Sequence, residues 1–292
     1  MGAISAKLVK ELRTLTGAGM MDCKKALSET DGDFENAINW LRTKGLATAQ
    51  KKSGRDAKEG LVCVKVKDNF GAIVEINSET DFVARNEKFQ DFVLNVTDVA
   101  LSEHMNIDQL VGSFFPGTKE TIQDKLNELI ATIGENLSIR RVESISVEKG
   151  SITSYIHNLV APNLGRIGVL IGINSEKEDE NVSNLSKKLA MHIAAAAPIS
   201  VSSETLDNNI VMREKEIFKN QAMESGKPDN IVEKMVEGRI NKFYQEVCLY
   251  NQIFVIDSET KISDLLKRFT KDNNNTVDVK KFVRFQLGEE VD

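Results

Sequence analysis

The sequence contains few of the residues that build disulfide, metal or catalytic centres. Its 292 residues include three cysteines, three histidines, four prolines and one tryptophan. Cys23, Cys63 and Cys248 lie far apart and none belongs to a C-x-x-C pair, which argues against a disulfide framework or a zinc site. The histidines are equally scattered and form no H-E-x-x-H pattern, so we expect no metal centre.

The sequence also lacks long apolar runs and an excess of positive charge. Its longest apolar candidate, Met191–Ile199, is far shorter than the roughly 18 residues of a membrane-spanning helix. The first residues contain no apolar signal core, and we therefore expect a cytoplasmic protein with no membrane contact. With 38 basic and 44 acidic residues the formal net charge is −6, which argues against a broad nucleic-acid surface.

Motifs for nucleotide or catalytic chemistry are incomplete. Gly17-Ala18-Gly19 begins like a dinucleotide fingerprint, but Asp22 stands at the third glycine position. Gly112–Gly117 is followed by Thr118-Lys119, the reverse of the P-loop order, so the lysine would not reach a phosphate from the first helical turn. We therefore expect no cofactor, no catalytic residue and no enzyme.

The N-terminal segment has the pattern of a small helical module. Ser5 and Asp33 are placed to cap a first and a third helix, and Met20–Leu27 has the composition of a short second helix. We predict that the third helix ends near Gly45, because glycine is common just beyond helix ends. The polar, basic segment after it is predicted to be a linker.

Beyond the linker the pattern changes from helical spacing to alternation. Leu61–Lys67 and Ala72–Ile76 flank the polar turn Asp68-Asn69, which is typical of a β-hairpin. Asn86 can cap the helix that follows. The helices predicted after this hairpin are 86–102, 106–112 and 119–137.

The chain contains a weak internal repeat. Gly71–Glu79 resembles Gly168–Glu176, which lies 97 positions further on, without a gap. We infer a second hairpin whose first strand is Ile152–Ile156 and whose strands are joined by a long loop, His157–Arg166. The alternative is two unrelated hairpins that share common residue types.

The segment 204–247 departs from the repeat and has the spacing of two helices. An apolar stripe is predicted to end at Gly226, and Pro228 suits the first turn of the next helix. We interpret this αα-hairpin as an insertion into the second unit. The elements predicted after it are a strand at Gln252–Ile256, a helix at Ile262–Phe269 and a strand at Val279–Leu287.

These elements predict an α+β fold with several parts. The parts are an N-terminal three-helix module (1–45), a linker (46–59), a core N-subdomain (60–140), the first part of a core C-subdomain (141–203), the inserted hairpin (204–247) and the second part of the C-subdomain (248–292). Because the hairpin has apolar residues on more than one side, we expect it to support a homodimer.

Two segments carry apolar side chains at positions where we expect exposure to solvent, so packing within the fold does not readily account for them. The segment that begins at Thr80 follows the first hairpin, where loops are usually exposed, and places Phe82 beside Asp81. Met20 and Met21 lie at the junction of a loop and a helix. The structural alternatives are that Phe82 packs beneath its own helix and that at least one methionine lies in the core.

The segments Thr16–Leu27 and Thr80–Val83 resemble those of the bacterial elongation factor Ts family. Further similar segments follow in the same order, at Ile133–Asn136, Ile139–Arg141, Met191–Ala195, Gly226–Pro228 and Glu233–Arg239. The match covers essentially the whole chain, and chance agreement of so many ordered motifs is negligible.

The resemblance implies a fold and a function. The fold has an N-terminal module like ubiquitin-associated domains, a two-part core of hairpin-and-helix repeats, and an inserted helical hairpin. The function is guanine-nucleotide exchange on elongation factor Tu, in its GDP-bound and nucleotide-free forms, during translation elongation.

The resemblance also implies which residues bind the partner. The wedge that displaces magnesium from the partner corresponds to Thr80, Asp81, Phe82 and Val83. A second contact, with a helix of the GTPase domain, corresponds to Met20, Met21 and Asp22. A residue near the partner's third domain corresponds to His157.

Two other functions remain open from the residues alone. One is an adaptor that binds helical partners through its N-terminal module without exchange activity, and the other is an enzyme with an unrecognised site. The sequence also departs from the family in two places. The loop Asn158–Leu164 is longer than usual, and many members continue beyond the position of Asp292 into a C-terminal helix, so we expect a partner contact made by that helix to be missing.

Overall fold

The computed structural model describes residues 4–224 and 228–290, and it confirms an α+β protein. The helices described are α1 (Ala6–Thr16), α2 (Met20–Glu29), α3 (Phe34–Lys52), α4 (Glu87–Ala100), α5 (Ile107–Gly112), α6 (Ile122–Ile133), α7 (Glu180–Ala196), α8 (Asn208–Met223), α9 (Asp229–Val247) and α10 (Ile262–Asn273). The strands are β1 (Glu59–Lys67), β2 (Phe70–Ser78), β3 (Leu137–Ser146), β4 (Ser151–Ala161), β5 (Leu164–Ser175) and β6 (Val277–Gln286). Within these ranges no helix is both long and apolar enough to cross a membrane. The predicted helix end at Gly226 lies outside the described residues.

Helices α1 to α3 pack together, and the predicted caps are present. The Ser5 hydroxyl accepts a hydrogen bond from the amide of Leu8, and the Asp33 carboxylate accepts one from the amide of Asn36. Gly17 ends α1 with a left-handed φ of 67°, which favours glycine. The buried apolar side chains between the helices are Val9, Leu12, Cys23, Ala26, Leu27 and Ala37.

Helix α3 is longer than predicted, because Gly45 lies inside it. The helix continues to Lys52, and Gly45 faces α6, where an added Cβ would lie 3.6 Å from the Cβ of Ala131. An added methyl group would make only an ordinary van der Waals contact there, so the glycine marks a packed position on α3 and does not end the helix. The predicted helix end at Gly45 is wrong, and the non-helical part of the linker begins at Ser53.

The strands are antiparallel and lie in the order β3-β2-β1-β5-β4, with β6 also paired to β5. β1 and β2 form the predicted hairpin, and Asp68 in its turn has a φ of 51°. β1 meets β5 through the pairs Val62–Gly165 and Cys63–Leu164. The sheet therefore consists of a β1–β2–β3 part and a β4–β5–β6 part, joined by a short junction.

The two parts of the sheet pack face to face and carry helices on their outer faces. The apolar layer between them consists of Val62, Val64, Ile73, Ile145, Val147, Ile152, Leu170, Val283, Phe285 and Leu287. Helices α4, α5 and α6 cover the outer face of β1–β2–β3, while α7 and α10 cover that of β4–β5–β6. Strands buried on both faces need no clean polar alternation, which explains why Leu61 and its neighbour Val62 are both fully buried.

The second hairpin has a tight turn where a long loop was predicted. β4 continues to Ala161 and is paired with β5 through His157–Ile167 and Leu159–Gly165. The prediction of a loop over His157–Arg166 is wrong, because strand pairing continues to Ala161, with a register shift after Leu159, and only Pro162-Asn163 form the turn.

Two further differences concern short apolar runs. Helix α6 ends at Gly134, whose φ is 85°, and β3 starts at Leu137, so the predicted helix over 119–137 is too long and β3 contains the predicted boundary at 140. Gln252–Ile256 is not a regular strand, because Ile253 forms only an isolated antiparallel bridge with Lys261 and a turn begins at Val255. Short apolar runs fit more than one local structure. The predicted final strand is confirmed as β6.

Helices α8 and α9 leave and rejoin the second part of the core at one place. The amide of Ile199 donates to the carbonyl of Val247 (2.9 Å), and the amide of Leu249 donates to the carbonyl of Ser200 (2.9 Å). These hydrogen bonds join the chain just before α8 to the chain at the end of α9. This is expected for a helical hairpin inserted between α7 and α10.

Candidate partner-binding surface

The segment between β2 and α4 presents an aromatic side chain to solvent. Phe82 is 77% exposed, and Asp81 beside it is exposed, whereas Val83 is only 4% exposed. The alternative in which Phe82 packs beneath its own helix is therefore wrong. The valine anchors this segment in the core and leaves the phenyl ring outside.

The backbone around Phe82 is regular. Val83–Arg85 form a 3-10 turn, in which the amide of Arg85 donates to the carbonyl of Phe82 (3.1 Å). Asn86 then caps α4 as predicted, because its side chain accepts a hydrogen bond from the amide of Phe89 (3.3 Å). The ring is thus carried on a defined turn.

Glu135 holds the segment at Thr80. One carboxylate oxygen of Glu135 accepts a hydrogen bond from the amide of Thr80 (2.9 Å), and the other accepts one from its hydroxyl (2.7 Å). Glu135 lies in the turn between α6 and β3, 55 residues away along the chain. Hydrogen bonds to an ionised acceptor are stronger than neutral ones, so this contact fixes the residue two positions before Phe82.

Glu79 adds a second attachment to the same turn. Its carboxylate accepts a hydrogen bond from the amide of Asn136 (2.5 Å) and lies 3.4 Å from the guanidinium of Arg55. The amide of Asn136 and the charge of Arg55 keep the pKa of the Glu79 carboxyl below its usual value. The Asn136 side chain in turn donates to the carbonyl of Arg55 (2.8 Å), which ties the linker to this place.

The first turn of α2 presents two methionines to solvent. Met20 is 55% exposed and Met21 is 74% exposed, so the alternative of core packing is wrong for both. Leu15, at the end of α1, is 66% exposed. Asp22 is half-buried and forms an ion pair with Lys44 of α3, so its side chain holds the start of α2 in place.

The N-terminal helices rest on the part of the core that carries Phe82. The side chain of Lys52 donates to the carbonyl of Gly134, which directly precedes Glu135. A Cβ added to Gly17 would lie 2.9 Å from the ammonium nitrogen of Lys88, in the first turn of α4. Gly17 stands three positions before Met20, and Lys88 stands six positions after Phe82. The contact between them therefore lies near both predicted partner-binding segments.

Comparison with known proteins identifies the family. A family model described as "Elongation factor TS" matches residues 79–289. The relative named "Elongation factor Ts" from Rhodospirillum centenum is 51% identical over 292 residues, covering 100% of this chain and 95% of its own length. The chain belongs to the elongation factor Ts family.

Other members of the family are similarly close. The relative of that name from Parvibaculum lavamentivorans is 50% identical over 292 residues and covers 100% of this chain and 95% of its own length. The one from Bartonella henselae is 49% identical over 290 residues, covering 99% of this chain and 94% of its own length. Membership of this family gives the chain a role in translation elongation, a part of protein biosynthesis.

His157 lies apart from the other predicted site residues. It is exposed on β4, and its Nδ1 lies 3.1 Å from the hydroxyl of Tyr155. In the described part of the chain, no recorded side-chain hydrogen bond, ion pair or ring contact joins it to the Phe82 segment or to α2. Contacts of Gly17 and Lys52 thus link the N-terminal helices to the region of Phe82, whereas His157 lies elsewhere on the sheet.

Glu135, Asn136 and Arg55 were not predicted from the sequence as site residues. The segment Ile133–Asn136 was noted only as a family resemblance, and no spacing rule links it to a residue 55 positions earlier. In residues 4–224 and 228–290, no group of three or more histidine, cysteine or acidic side chains could hold a metal. Burial raises the pKa of the Cys63 thiol to about 11, which leaves it protonated and unreactive at neutral pH.

Proposed function

We propose that the chain is a guanine-nucleotide exchange factor for elongation factor Tu and that it makes or breaks no covalent bond. The observation that carries the proposal is the exposed ring of Phe82 on a segment held at Thr80 and Val83. A large apolar side chain that is both exposed and fixed is a typical anchor for a protein partner. Membership of the elongation factor Ts family supports this choice of partner.

In the proposed mechanism, Phe82 and Asp81 enter a seam between helices of the partner's GTPase domain. A helix displaced in this way moves the magnesium ligands and the loop whose amides hold the phosphates. Magnesium and these backbone contacts hold the phosphates of the nucleotide in such GTPases. Their displacement therefore weakens GDP binding.

Thermodynamic linkage fixes how strongly GDP weakens binding of the factor to elongation factor Tu. If the factor weakens GDP binding, GDP weakens binding of the factor by the same ratio. A coupling of about 4 kcal/mol corresponds to about a thousandfold in each affinity. The factor therefore prefers nucleotide-free elongation factor Tu, and a newly bound nucleotide releases it.

The start of α2 provides the proposed second contact. Met20 and Met21 are flexible apolar side chains that adapt to a helical surface, and both are exposed. Asp22 contributes by holding this turn through its ion pair with Lys44.

The decisive experiment measures release of fluorescent GDP from elongation factor Tu. Phe82→Ala removes the ring, and we expect stimulated release to slow at least about tenfold while circular dichroism is unchanged. Phe114→Ala is the matched control, because Phe114 is 69% exposed on another loop and should leave release unchanged.

Wild-type release by a folded Phe82→Ala protein would contradict the wedge role. The same assay separates the other candidate functions. An adaptor would bind elongation factor Tu without releasing GDP, and an unrelated enzyme would neither bind it nor release GDP.

The second contact is tested by calorimetry with nucleotide-free elongation factor Tu. We expect Met20→Ala with Met21→Ala to weaken the complex about tenfold, because two apolar side chains leave the interface. Ile253→Ala with Ile256→Ala is the control pair, since these residues lie outside the proposed contacts and are 45% and 49% exposed. Wild-type affinity of the α2 double variant would remove this contact from the proposal.

We assign the β4–β5 hairpin a weaker third contact. His157 is exposed, and Leu159 and Val160 near the turn are 63% and 41% exposed. Replacement of His157 by alanine is expected to change the affinity less than the α2 double variant does, which the same calorimetry measures.

We also propose that α8 and α9 pair two copies of the chain. Met212, Ile217, Met223 and Ile231 are exposed apolar residues of this hairpin. Sedimentation of the chain with elongation factor Tu at micromolar concentration should show complexes that contain two copies of each protein. Complexes with only one copy of each would contradict the pairing.

We propose the same parts as from the sequence, with the helical module extended to Lys52 and the first part of the core to Ser146. The α1–α3 bundle is interpreted as a module like ubiquitin-associated domains, and the two sheet parts as copies of one hairpin-and-helix unit. Their support is the shared order of hairpin, helix, second helix and strand in β1–β2–α4–α6–β3 and β4–β5–α7–α10–β6. An exchange factor of this kind works in the cytoplasm, where elongation takes place.

A further inference from the structure

The Glu135 side chain is committed to a single residue of the Phe82 segment. Both of its oxygens accept hydrogen bonds from Thr80, one from the amide (2.9 Å) and one from the hydroxyl (2.7 Å). The hydroxyl of the buried Ser78 also donates to the carbonyl of Thr80 (2.8 Å). Thr80 is therefore held through its amide, its side chain and its carbonyl.

The residues on either side of Phe82 are thus anchored differently. Thr80 is held by polar contacts, whereas Val83 is anchored by burial among the core residues next to α4. Asp81 and Phe82 lie between these anchors and are exposed. Because two residues bridge two fixed points, the direction of the phenyl ring depends on both anchors.

A similar contact exists in the other half of the core, without an aromatic residue. The Asn275 side chain accepts a hydrogen bond from the amide of Lys177 (3.2 Å) and donates to its carbonyl (2.8 Å). Asn275 lies just after α10, as Glu135 lies just after α6. Glu178 and Asp179 follow Lys177, and no phenyl ring stands there. Because Asn275 also makes two hydrogen bonds to the residue after a hairpin, its replacement is a suitable control.

We propose that Glu135 is a positioning residue for nucleotide exchange, acting through Thr80 to fix the direction of Phe82. The inference rests on the proposed function of Phe82. Glu135 can act without touching the partner, because each of its oxygens already accepts a hydrogen bond from Thr80. A segment ordered before binding loses less conformational freedom when the complex forms, which raises the affinity for the state being stabilised.

The experiment compares variants in the second-order rate constant for GDP release from elongation factor Tu. Glu135→Ala is expected to lower this constant about tenfold, because the segment must then be ordered on binding. Glu135→Gln keeps one carbonyl acceptor for Thr80 and is expected to have a smaller effect. Asn275→Ala removes the corresponding contact in the other half and is expected to leave the constant unchanged.

A double-mutant cycle separates positioning from general destabilisation. In a Phe82→Ala background, Glu135→Ala should change release by less than about twofold, since no ring remains to be positioned. A full tenfold effect in that background would overturn the inference. An equal loss in the Asn275→Ala protein would overturn it as well.

Hydrogen exchange of the free protein gives a readout that does not involve elongation factor Tu. Glu135→Ala should accelerate exchange of the Thr80 amide, with little change at the amides of β1. Slow exchange of this amide in the variant would overturn the inference even if the wedge role holds. If Phe82→Ala itself leaves GDP release unchanged, the proposed function fails, and the inference fails with it.

Discussion

The segment after β2 and the segment after β5 are held in related ways but carry different side chains. Glu135 accepts hydrogen bonds from Thr80, and Asn275 exchanges hydrogen bonds with the backbone of Lys177. After Thr80 the chain presents Phe82 and forms a 3-10 turn before α4. After Lys177 it runs through acidic residues straight into α7.

Comparing the two connections shows which features occur in both halves and which occur in only one. Asp179 in the second half directly caps α7, its carboxylate accepting a hydrogen bond from the amide of Val182 (2.9 Å). The first half places a longer connection between the held residue and the cap at Asn86. A hairpin and helix can thus be joined without an exposed ring, which agrees with the proposal that Phe82 serves binding and that the Thr80 contact directs its ring.

The largest expected effect concerns a pair of glycines that the two halves share. Gly60 has a φ of 125° and an added Cβ would lie 2.2 Å from the carbonyl oxygen of Ile76. Gly150 has a φ of 108° and an added Cβ would lie 2.0 Å from that of Ile173. Each change to alanine should lower the free energy of unfolding by at least about 3 kcal/mol, measured by denaturant unfolding.

Gly238→Ala in α9 serves as the control, because nothing lies within 4 Å of its added Cβ. We expect it to stabilise the helix by about 0.5–1 kcal/mol. If only one of Gly60→Ala and Gly150→Ala were destabilising, the two strand starts would not be equivalent.

A second, smaller effect tests a place where the halves differ. Glu75 on β2 is fully buried and accepts a hydrogen bond from Arg141 (2.6 Å), whereas Gly172 stands at the matching position of β5. Glu75→Gln removes the buried charge and should lower the free energy of unfolding by about 2–3 kcal/mol.

Glu143→Gln is the control, since Glu143 is half-exposed and lies 3.8 Å from Lys281. Its expected effect is below about 1 kcal/mol, as for other surface ion pairs. Equal effects of the two changes would show that burial of Glu75 does not matter. The charge on Glu75, which the second half lacks, would then add little to the free energy of unfolding.

The smallest expected effect is a pH dependence confined to the second half. His192 on α7 is fully buried, and its Nε2 lies 2.9 Å from the side-chain oxygen of Gln252, while its Nδ1 accepts a hydrogen bond from the amide of Val255 (3.3 Å). Burial lowers the pKa of His192 below its ordinary value of 6.5. Asn95 stands at the matching position of α4.

The sign of the effect follows from proton binding. As the pH falls through the ordinary value of 6.5, the unfolded chain takes up a proton at His192 that the folded chain does not. The free energy of unfolding should therefore fall with decreasing pH below that value, and His192→Asn should reduce this dependence. Identical pH profiles for the two proteins would show that His192 titrates alike in both states.

Local signals in the sequence predicted much of the fold. The caps at Ser5, Asp33 and Asn86 were predicted because each is a short-range hydrogen bond between a side chain and a nearby amide. The hairpin around Asp68 was predicted from alternation and turn residues. Such features depend on a few neighbouring residues and need no knowledge of the rest of the molecule.

Features that depend on distant residues were not predicted. Gly45 was interpreted as a helix end because its packing partner on α6 cannot be inferred from nearby residues. The role of Glu135 depends on a contact with a residue 55 positions earlier. The sequence predicted an exposed loop with Phe82 beside Asp81, but only the structure decides against packing of the ring beneath its own helix.

The apolar layer between the two parts of the sheet bears on the fate of a shortened chain. A polypeptide ending at Ser146 would keep its helices on one face of its strands and leave Val62, Val64 and Ile73 facing water. The closest available cover would be the same face of an identical polypeptide. Each part of the sheet thus covers the apolar face of the other, so a chain cut between them would need a substitute for the missing part.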